Sequence, residues 1–349
     1  MNLLHTKAQG RDNNLNLIRA IAAFAVLISH AVPIAAGPML PEPLENLIGY
    51  SLGTVSVMMF FVISGFLIPL SFERAPSHQR FIKARVLRIF PGLTVNLVFV
   101  ALILGPLVTT LPLWTYLSDP QSILFILRNI ALVPLVYTLP GVFEGQPTST
   151  IVGSIWTLRH EVGCYLMVFL LGLFGLYRHQ SAFRILSLMY LIALWPALII
   201  SDITLHPLLL GFTKLSLPFV VGMGFYAWRQ HLPLTLWGVA VTACAAWALS
   251  QTLFYYPALC LALGYATFWL SYIPSGAIRA YNQIGDYSYG IYVYAFPAQG
   301  WAVWAFGPQS PFENILYATI PTIVLAVASW HLVEKPAMGL LHRSRVVPS

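Results

Sequence analysis

Long apolar runs separated by short polar stretches set the rhythm of the chain. They fall near 14–34, 48–71, 91–113, 155–176, 184–201, 208–228, 233–250, 253–272, 284–305 and 312–333. Each is close to the ~20 residues that a helix needs to cross the ~30 Å hydrocarbon layer of a bilayer. In that layer a helix satisfies all its backbone groups within one segment. The pattern predicts an all-α, polytopic membrane protein of about ten spans, with residues 1–349 forming a single membrane domain. One further run, 122–140, contains Arg128, Asn129, Pro134 and Pro140. It reads as a non-spanning segment, either interfacial or re-entrant. The polar leader MNLLHTKAQGRDNN precedes an apolar run with no small-residue cleavage pattern, so the first run is expected to be a retained span. The chain has no internal repeat or low-complexity tract.

Composition agrees with the pattern. Charged residues make up 8% of the chain and hydrophobic residues 58%, against about 25% charged in soluble domains. There is no room for a large soluble domain. The net charge of +7 points to topology rather than to nucleic acid. With a cytoplasmic N-terminus and a non-spanning 122–140, fourteen of the eighteen Lys and Arg lie on the cytoplasmic side: Lys7, Arg11, Arg74, Arg80, Lys83, Arg85, Arg88, Arg178, Arg184, Arg229, Arg279, Lys335, Arg343 and Arg345. Arg19, Arg128, Arg159 and Lys214 stay within or beside spans. If 122–140 spanned, the later basic loops could not share a side with 72–90. Both termini are therefore expected in the cytoplasm, and FERAPSHQRFIKARVLRIF (72–90) is expected to be a basic amphipathic cytoplasmic loop. Cys164, Cys244 and Cys260 sit in apolar runs and read as buried thiols without a disulfide.

The chemistry is concentrated in a few polar residues. RAIAAFAVLISH puts Arg19 and His30 eleven residues apart, on one helix face and ~16 Å apart along its axis. Ionisable groups at membrane depth point to function. A histidine near its ordinary pKa can take a proton from a hydroxyl, and an arginine favours phosphate or carboxylate. The alternative for Arg19 is to snorkel to the headgroups. Arg85 and Arg88 share a helix face, with Lys83 and Arg80 nearby. They suit either a nucleotide phosphate or anionic lipid. GSIWTLRHEVGCYL (153–166) carries Arg159, His160 and Glu161. Glu161 lies at about the depth of His30 and suits orientation of an imidazole, or equally a salt bridge to Arg159. HEVGC lacks the second histidine of a zinc HExxH motif, so no metal site is expected. Trp156, Tyr292, Tyr294, Trp301 and Trp304 are candidate platforms for a sugar or members of an interfacial aromatic belt.

These stretches, together with FFVISGFLI (60–68), GDYSYGIYVYAFPAQ (285–299) and HLVEKPA (331–337), resemble the membrane acyltransferase-3 family, in the right order along nearly the whole chain. The resemblance implies transfer of an acyl group, most often acetyl, from cytoplasmic acyl-CoA. The acceptor would be a hydroxyl of a surface polysaccharide, a lipopolysaccharide O-antigen or a lipid-linked glycan precursor, across a bacterial inner membrane. By that pattern His30 is catalytic and Arg19, Arg85 and Arg88 bind the acyl-CoA. From the residues themselves, Glu161 is the candidate carboxylate partner of His30, Lys83 joins the donor candidates, and Trp156, Arg159, Tyr292 and Tyr294 are candidates for the acceptor. No cofactor is implied beyond acyl-CoA as donor substrate. Because the chain ends at Ser349, the stand-alone form without an SGNH-type domain is expected. The competing class is a membrane carrier or flippase for an anionic lipid or glycan, but the chain lacks the repeats and paired broken helices common in transporters. A membrane-bound O-acyltransferase of another fold is disfavoured by the Arg19–His30 start.

Overall fold

The computed structural model describes residues 2–10, 12–75, 77–195 and 207–343. Its longer helices follow the apolar runs: α1 (Leu15–Ala35), α2 (Leu52–Arg74), α3 (His78–Val108), α4 (Pro120–Ala131), α5 (Trp156–Leu173), α6 (Gln180–Met189), α7 (Pro207–Trp228), α8 (Leu236–Ala248), α9 (Tyr255–Tyr272), α10 (Ser288–Phe306) and α11 (Pro311–Leu341). The end of the 184–201 run lies outside the described residues. Among the described residues no β-strand forms, only the isolated bridges Leu3–Pro233 and Thr109–Val142.

Five of these helices, α1, α2, α3, α7 and α11, are long and apolar enough to cross a membrane, or six if α9 and the helix bent from it by 93° count as one. The expected ten are thus not all met by length and hydropathy. The physical reason differs by helix. Arg159, His160 and Glu161 lower the hydropathy of α5, α8 has only 13 residues, and α10 is rich in Tyr and Trp and contains Gln299. α10 compensates by burial, since every residue from Ser288 to Gly300 is buried in protein and it needs no lipid-compatible surface. The 122–140 stretch holds the 12-residue α4, about 18 Å long and too short to cross. Asp119 caps it by accepting from the Gln121 N–H at 2.8 Å. The stretch 72–90, expected as a loop, is helical on either side of a break. Arg74 ends α2, His78 begins α3, and Arg80, Lys83, Arg85 and Arg88 stand on the first turns of α3. Cys244 differs from the expectation of a buried thiol: it is exposed on α8, while Cys164 and Cys260 are buried. An outward face that meets lipid is as apolar as a core, so sequence cannot tell the two apart.

The chain divides into two compact units, one of Met1–Arg19, Val57–His78 and His160–Gly285, the other of Ala20–Ser56, Gln79–Arg159 and Asp286–Ser349. The first unit centres on α7, which is buried continuously from Leu215 to Ala227. Its backbone meets that of α2 with no side chain between. A Cβ on Gly65 would overlap the Phe219 carbonyl, and one on Gly222 would lie 2.9 Å from the Gly65 Cα. Small residues that let backbones touch are a common means of helix association in lipid, where hydrophobicity does not drive it. Asn14 anchors the N-terminal segment by donating to the Leu270 and Pro274 carbonyls at 3.0 and 2.9 Å. Arg279 closes the C-terminal end of α9 by donating to the Tyr272 carbonyl at 2.9 Å, and it pairs with Asp12.

The second unit is built around α10. α3 runs parallel to it, as four successive contacts record: Arg88 meets Asp286, Tyr289 donates to the Ile89 carbonyl at 2.8 Å, Asn96 donates to the Val293 carbonyl at 3.2 Å, and Phe99 meets Tyr294 edge-on. α11 runs back antiparallel to α10. Gln299 pairs with Asn314 near one end, and a Cβ on Gly290 would sit 2.7 Å from the Ala326 Cα near the other. The turn between them carries a capping box of Ser310 and Glu313.

Candidate active site

His30 lies four turns into α1, in the second unit. Its ring packs edge-to-face on Phe296 of α10, with centroids 5.3 Å apart and planes at 69°. Its Nδ1 is buried and has no hydrogen-bond partner among the described residues. One ring nitrogen of a neutral imidazole is an acceptor, so this histidine has an unused polar atom in an apolar wall. The preceding residue shows how the helix is fixed: Ser29 is fully buried, accepts from the Gly53 N–H at 2.8 Å and donates to Glu42. One turn earlier, the Leu27 carbonyl accepts from Gln299 of α10 at 2.8 Å. These bonds lock the rotation of α1 and so the direction of His30.

The segment before α5, which ends in a 3-10 turn at Gly153–Ile155, also lies against the Phe296 ring. Residues Ile151, Val152, Ser154 and Ile155 are almost fully buried, and a Cβ on Gly153 would come within 2.5 Å of Phe296 Cζ. Irregular backbone is tolerated at membrane depth only inside protein or along a cavity, and here α10 satisfies it. Tyr292 donates to the Ser154 carbonyl at 2.7 Å, Ser154 donates to the Tyr292 carbonyl at 3.0 Å, and the Thr157 hydroxyl donates to the Tyr292 oxygen at 2.7 Å. The segment begins farther back at Asn129, which donates to the Val136 carbonyl at 2.7 Å and accepts from its N–H at 2.9 Å. It therefore returns from the end of α4 to the level of Tyr292 and Phe296 before α5 starts. Of the four acceptor candidates, Tyr292 has its hydroxyl committed to this lock and Tyr294 is buried against Phe99. Trp156 and Arg159 are half-buried on the first turn of α5. Arg159 is close enough to Tyr137 to oppose the effect of burial, which raises the phenol above its usual pKa.

The donor candidates on α3 are not equivalent. Lys83 is exposed. Arg85 is half-buried, its guanidinium 5.8 Å from the Phe81 ring centre. Arg88 donates to Asp286 at 2.6 Å, and its other terminal nitrogen is 3.7 Å from Glu334. Asp286 also accepts from the Ser288 hydroxyl at 2.5 Å, and Glu334 from Ser329 at 2.9 Å. Glu334 ends a π-turn, Trp330–Glu334, within α11. Such turns recur at functional positions.

Arg19 and Glu161 belong to the first unit. Arg19 is half-buried near the start of α1. Glu161 accepts a short hydrogen bond from Tyr165 one turn on. His160 is buried, its ring 6.5 Å from that of Phe212, and a Cβ on Gly211 would sit 2.9 Å from its Nε2. Sequence reasoning did not single out Phe296, Ser29, Asp286 or Glu334. A signal for the last two exists, since Asp and Glu number only 11 and an acid inside an apolar stretch needs a partner.

The sequence profile described as "Acyltransferase domain" matches residues 12–333. Two relatives align over nearly full length. An O-acetyl transferase of Shigella phage Sf6 is 26% identical over 362 residues, covering 93% of this chain and 96% of the relative. Nodulation protein 10 of Rhizobium leguminosarum bv. viciae is 27% identical over 359 residues, covering 95% of each. No solved structure matches the chain significantly.

Proposed function

From a chain that belongs to this acyltransferase family and is a multi-pass membrane enzyme, we propose a transmembrane O-acyltransferase that moves an acyl group, by preference acetyl, from cytoplasmic acyl-CoA to a glycan hydroxyl. The acceptor class is a surface polysaccharide, a lipopolysaccharide O-antigen or a lipid-linked glycan precursor. The Shigella phage relative, named as an O-acetyl transferase, supports acetyl as the group. The membrane is the bacterial inner membrane, with both termini in the cytoplasm. The charge asymmetry of the sequence supports that orientation.

The observation that carries the chemistry is the unspent Nδ1 of His30, held in an apolar wall beside Phe296. In the general-base route His30 takes the acceptor's hydroxyl proton, the hydroxyl oxygen attacks the thioester carbonyl, and the carbon–sulfur bond breaks. The thiolate of coenzyme A then recovers the proton from the imidazolium. In the nucleophilic route the acyl group rests on the ring before the hydroxyl takes it. Arg19, Lys83 and Arg85 are assigned to the donor phosphates, with Arg88 beside them. Glu161 is assigned to the acid–base step from its sequence position, and Trp156 and Arg159 to the acceptor.

Mass spectrometry of surface glycans from cells with and without the gene tests this reading. The expected result is a gain of one acyl unit per acceptor, absent with His30→Ala. Loss of the whole glycan from the surface, with acylation unchanged, would replace this reading with the carrier class.

A further inference from the structure

The two ends of α3 and α10 carry different chemistry. Arg85 and Arg88 stand near the start of α3, and Arg88 meets Asp286 at the entry to α10. Val108, where α3 ends, is twenty residues beyond Arg88. That is about 30 Å along a helix, one hydrocarbon thickness. His30 belongs to neither end, because its ring partner Phe296 lies ten residues beyond Asp286, about 15 Å along α10.

A polar tract, residues 144–150 (EGQPTST), meets the far end of α3. Both of its flanks are fastened to α10. On one side Phe143 is 1% exposed, and a Cβ on Gly300 would overlap its ring. On the other side Gly153 meets Phe296. Phe143 has a left-handed backbone, φ 56°, which a bulky residue keeps only where its surroundings over-determine it. Just past α3, the Thr110 hydroxyl donates to the Glu144 carboxylate at 2.8 Å and the Thr110 N–H to the Gly141 carbonyl at 2.9 Å. The tract is therefore held beside the helix that carries Phe296. Two of its side chains ask for hydrogen-bond donors. Gln146 has a buried side-chain oxygen without a partner among the described residues. Glu144 is exposed, and a carboxylate has about four acceptor positions, of which Thr110 takes one. Adjacent hydroxyls of a sugar ring supply such donors. A phosphate or an acidic sugar brings negative charge against Glu144 and is disfavoured.

We propose that residues 144–150 form the subsite for the acceptor glycan, at the membrane face opposite Arg85 and Arg88. Glu144 and Gln146 accept hydrogen bonds from hydroxyls of a neutral sugar. This inference rests on the acyltransferase reading above and names where its acceptor is held.

The test uses full-length protein in lipid nanodiscs. The probe is the host's own surface polysaccharide, released with mild acid and de-acylated with alkali, and saturation-transfer NMR reads its binding. Glu144→Ala should weaken binding about tenfold or more, and Gln146→Met about threefold to tenfold, as the loss of a charged and of a neutral hydrogen bond. Glu144→Gln, which keeps an acceptor oxygen, should recover part of the loss. The melting temperature and its rise with acetyl-CoA should stay close to wild type in every variant, as for substitutions outside a packed core. In cells, the acylated fraction of the surface glycan should fall in the same order. Wild-type binding of the polysaccharide by the Glu144→Ala, Gln146→Met double variant overturns the proposal. So does a double variant that loses the acetyl-CoA response together with the sugar, because the tract would then act through the fold. A wild-type protein that binds no polysaccharide overturns the subsite, whatever is transferred in cells. Binding by wild type that the double variant loses, with no acyl group transferred by either, supports the subsite and counts against the transfer reaction.

Discussion

A buried histidine beside an aromatic ring serves packing or chemistry, and its second ring nitrogen distinguishes the two. A packing histidine has both nitrogens satisfied or wet, because an unpaired buried polar group costs about 1–3 kcal/mol. His30 keeps Nδ1 buried and unpaired while its neighbours Ser29 and Leu27 are fully bonded. His5 also keeps a buried Nδ1 without a partner among the described residues, so the role of His30 is decided by its substitution. His30→Ala should abolish acyl transfer while the protein still folds and binds donor. General acid–base assistance contributes about 10²–10⁴-fold, so a folded variant retaining more than about a tenth of wild-type transfer would return His30 to packing. The arginines show the limit of residue-level reading. Arg88 pairs with Asp286, which lies 198 residues away, so that partnership cannot be read from the arginine's own stretch.

Helices in this protein are specified by what covers them as much as by their own hydropathy. α10 would be a weak membrane helix alone, yet its burial from Ser288 to Gly300 removes the need for a lipid-facing surface. α7 illustrates the opposite constraint, since close backbone packing demands glycine at particular turns. Two glycines of α7, two residues apart, should respond in opposite ways to a methyl group. Gly222→Ala drives a Cβ into the Val62 carbonyl, whereas Gly224→Ala meets only Trp228 ring atoms at 3.7 Å and beyond. The first should destabilise by about 1–3 kcal/mol, the range for overpacking. The second should be neutral or stabilising by up to about 1 kcal/mol from helix propensity. Melting temperatures of the two purified variants check this, and a Gly222→Ala protein as stable as wild type would refute the close contact.

At the scale of the whole molecule, helix direction constrains topology. α3 and α10 run parallel through contacts that advance together, from Arg88–Asp286 to Phe99–Tyr294. If both cross the membrane, the chain between them crosses an odd number of times. If the apolar runs from 155–176 to 253–272 cross as expected, they make five crossings and a spanning 122–140 would make six, so parallel α3 and α10 are what an interfacial or re-entrant 122–140 requires. A single cysteine at position 180, in a chain with Cys164, Cys244 and Cys260 replaced by serine, should label with a membrane-impermeant reagent only from the cytoplasmic side. Labelling only from the opposite side would put α4 across the membrane and reverse every later helix.

By itself the sequence determined the helical membrane class, the order of the apolar segments and the placing of Arg19 and His30 on one helix. Each of these depends on local composition or on spacing within one element, where hydropathy and the 3.6-residue repeat act directly. Tertiary structure alone decided the rest. It put Phe296 against His30, tied Tyr292 to Ser154 rather than leaving it open to a sugar, turned the 72–90 loop into the start of α3, and gave Arg88 two carboxylate partners. Those outcomes depend on which helices lie side by side. In an apolar chain the faces turned to lipid and to protein carry the same residues, so only packing distinguishes them.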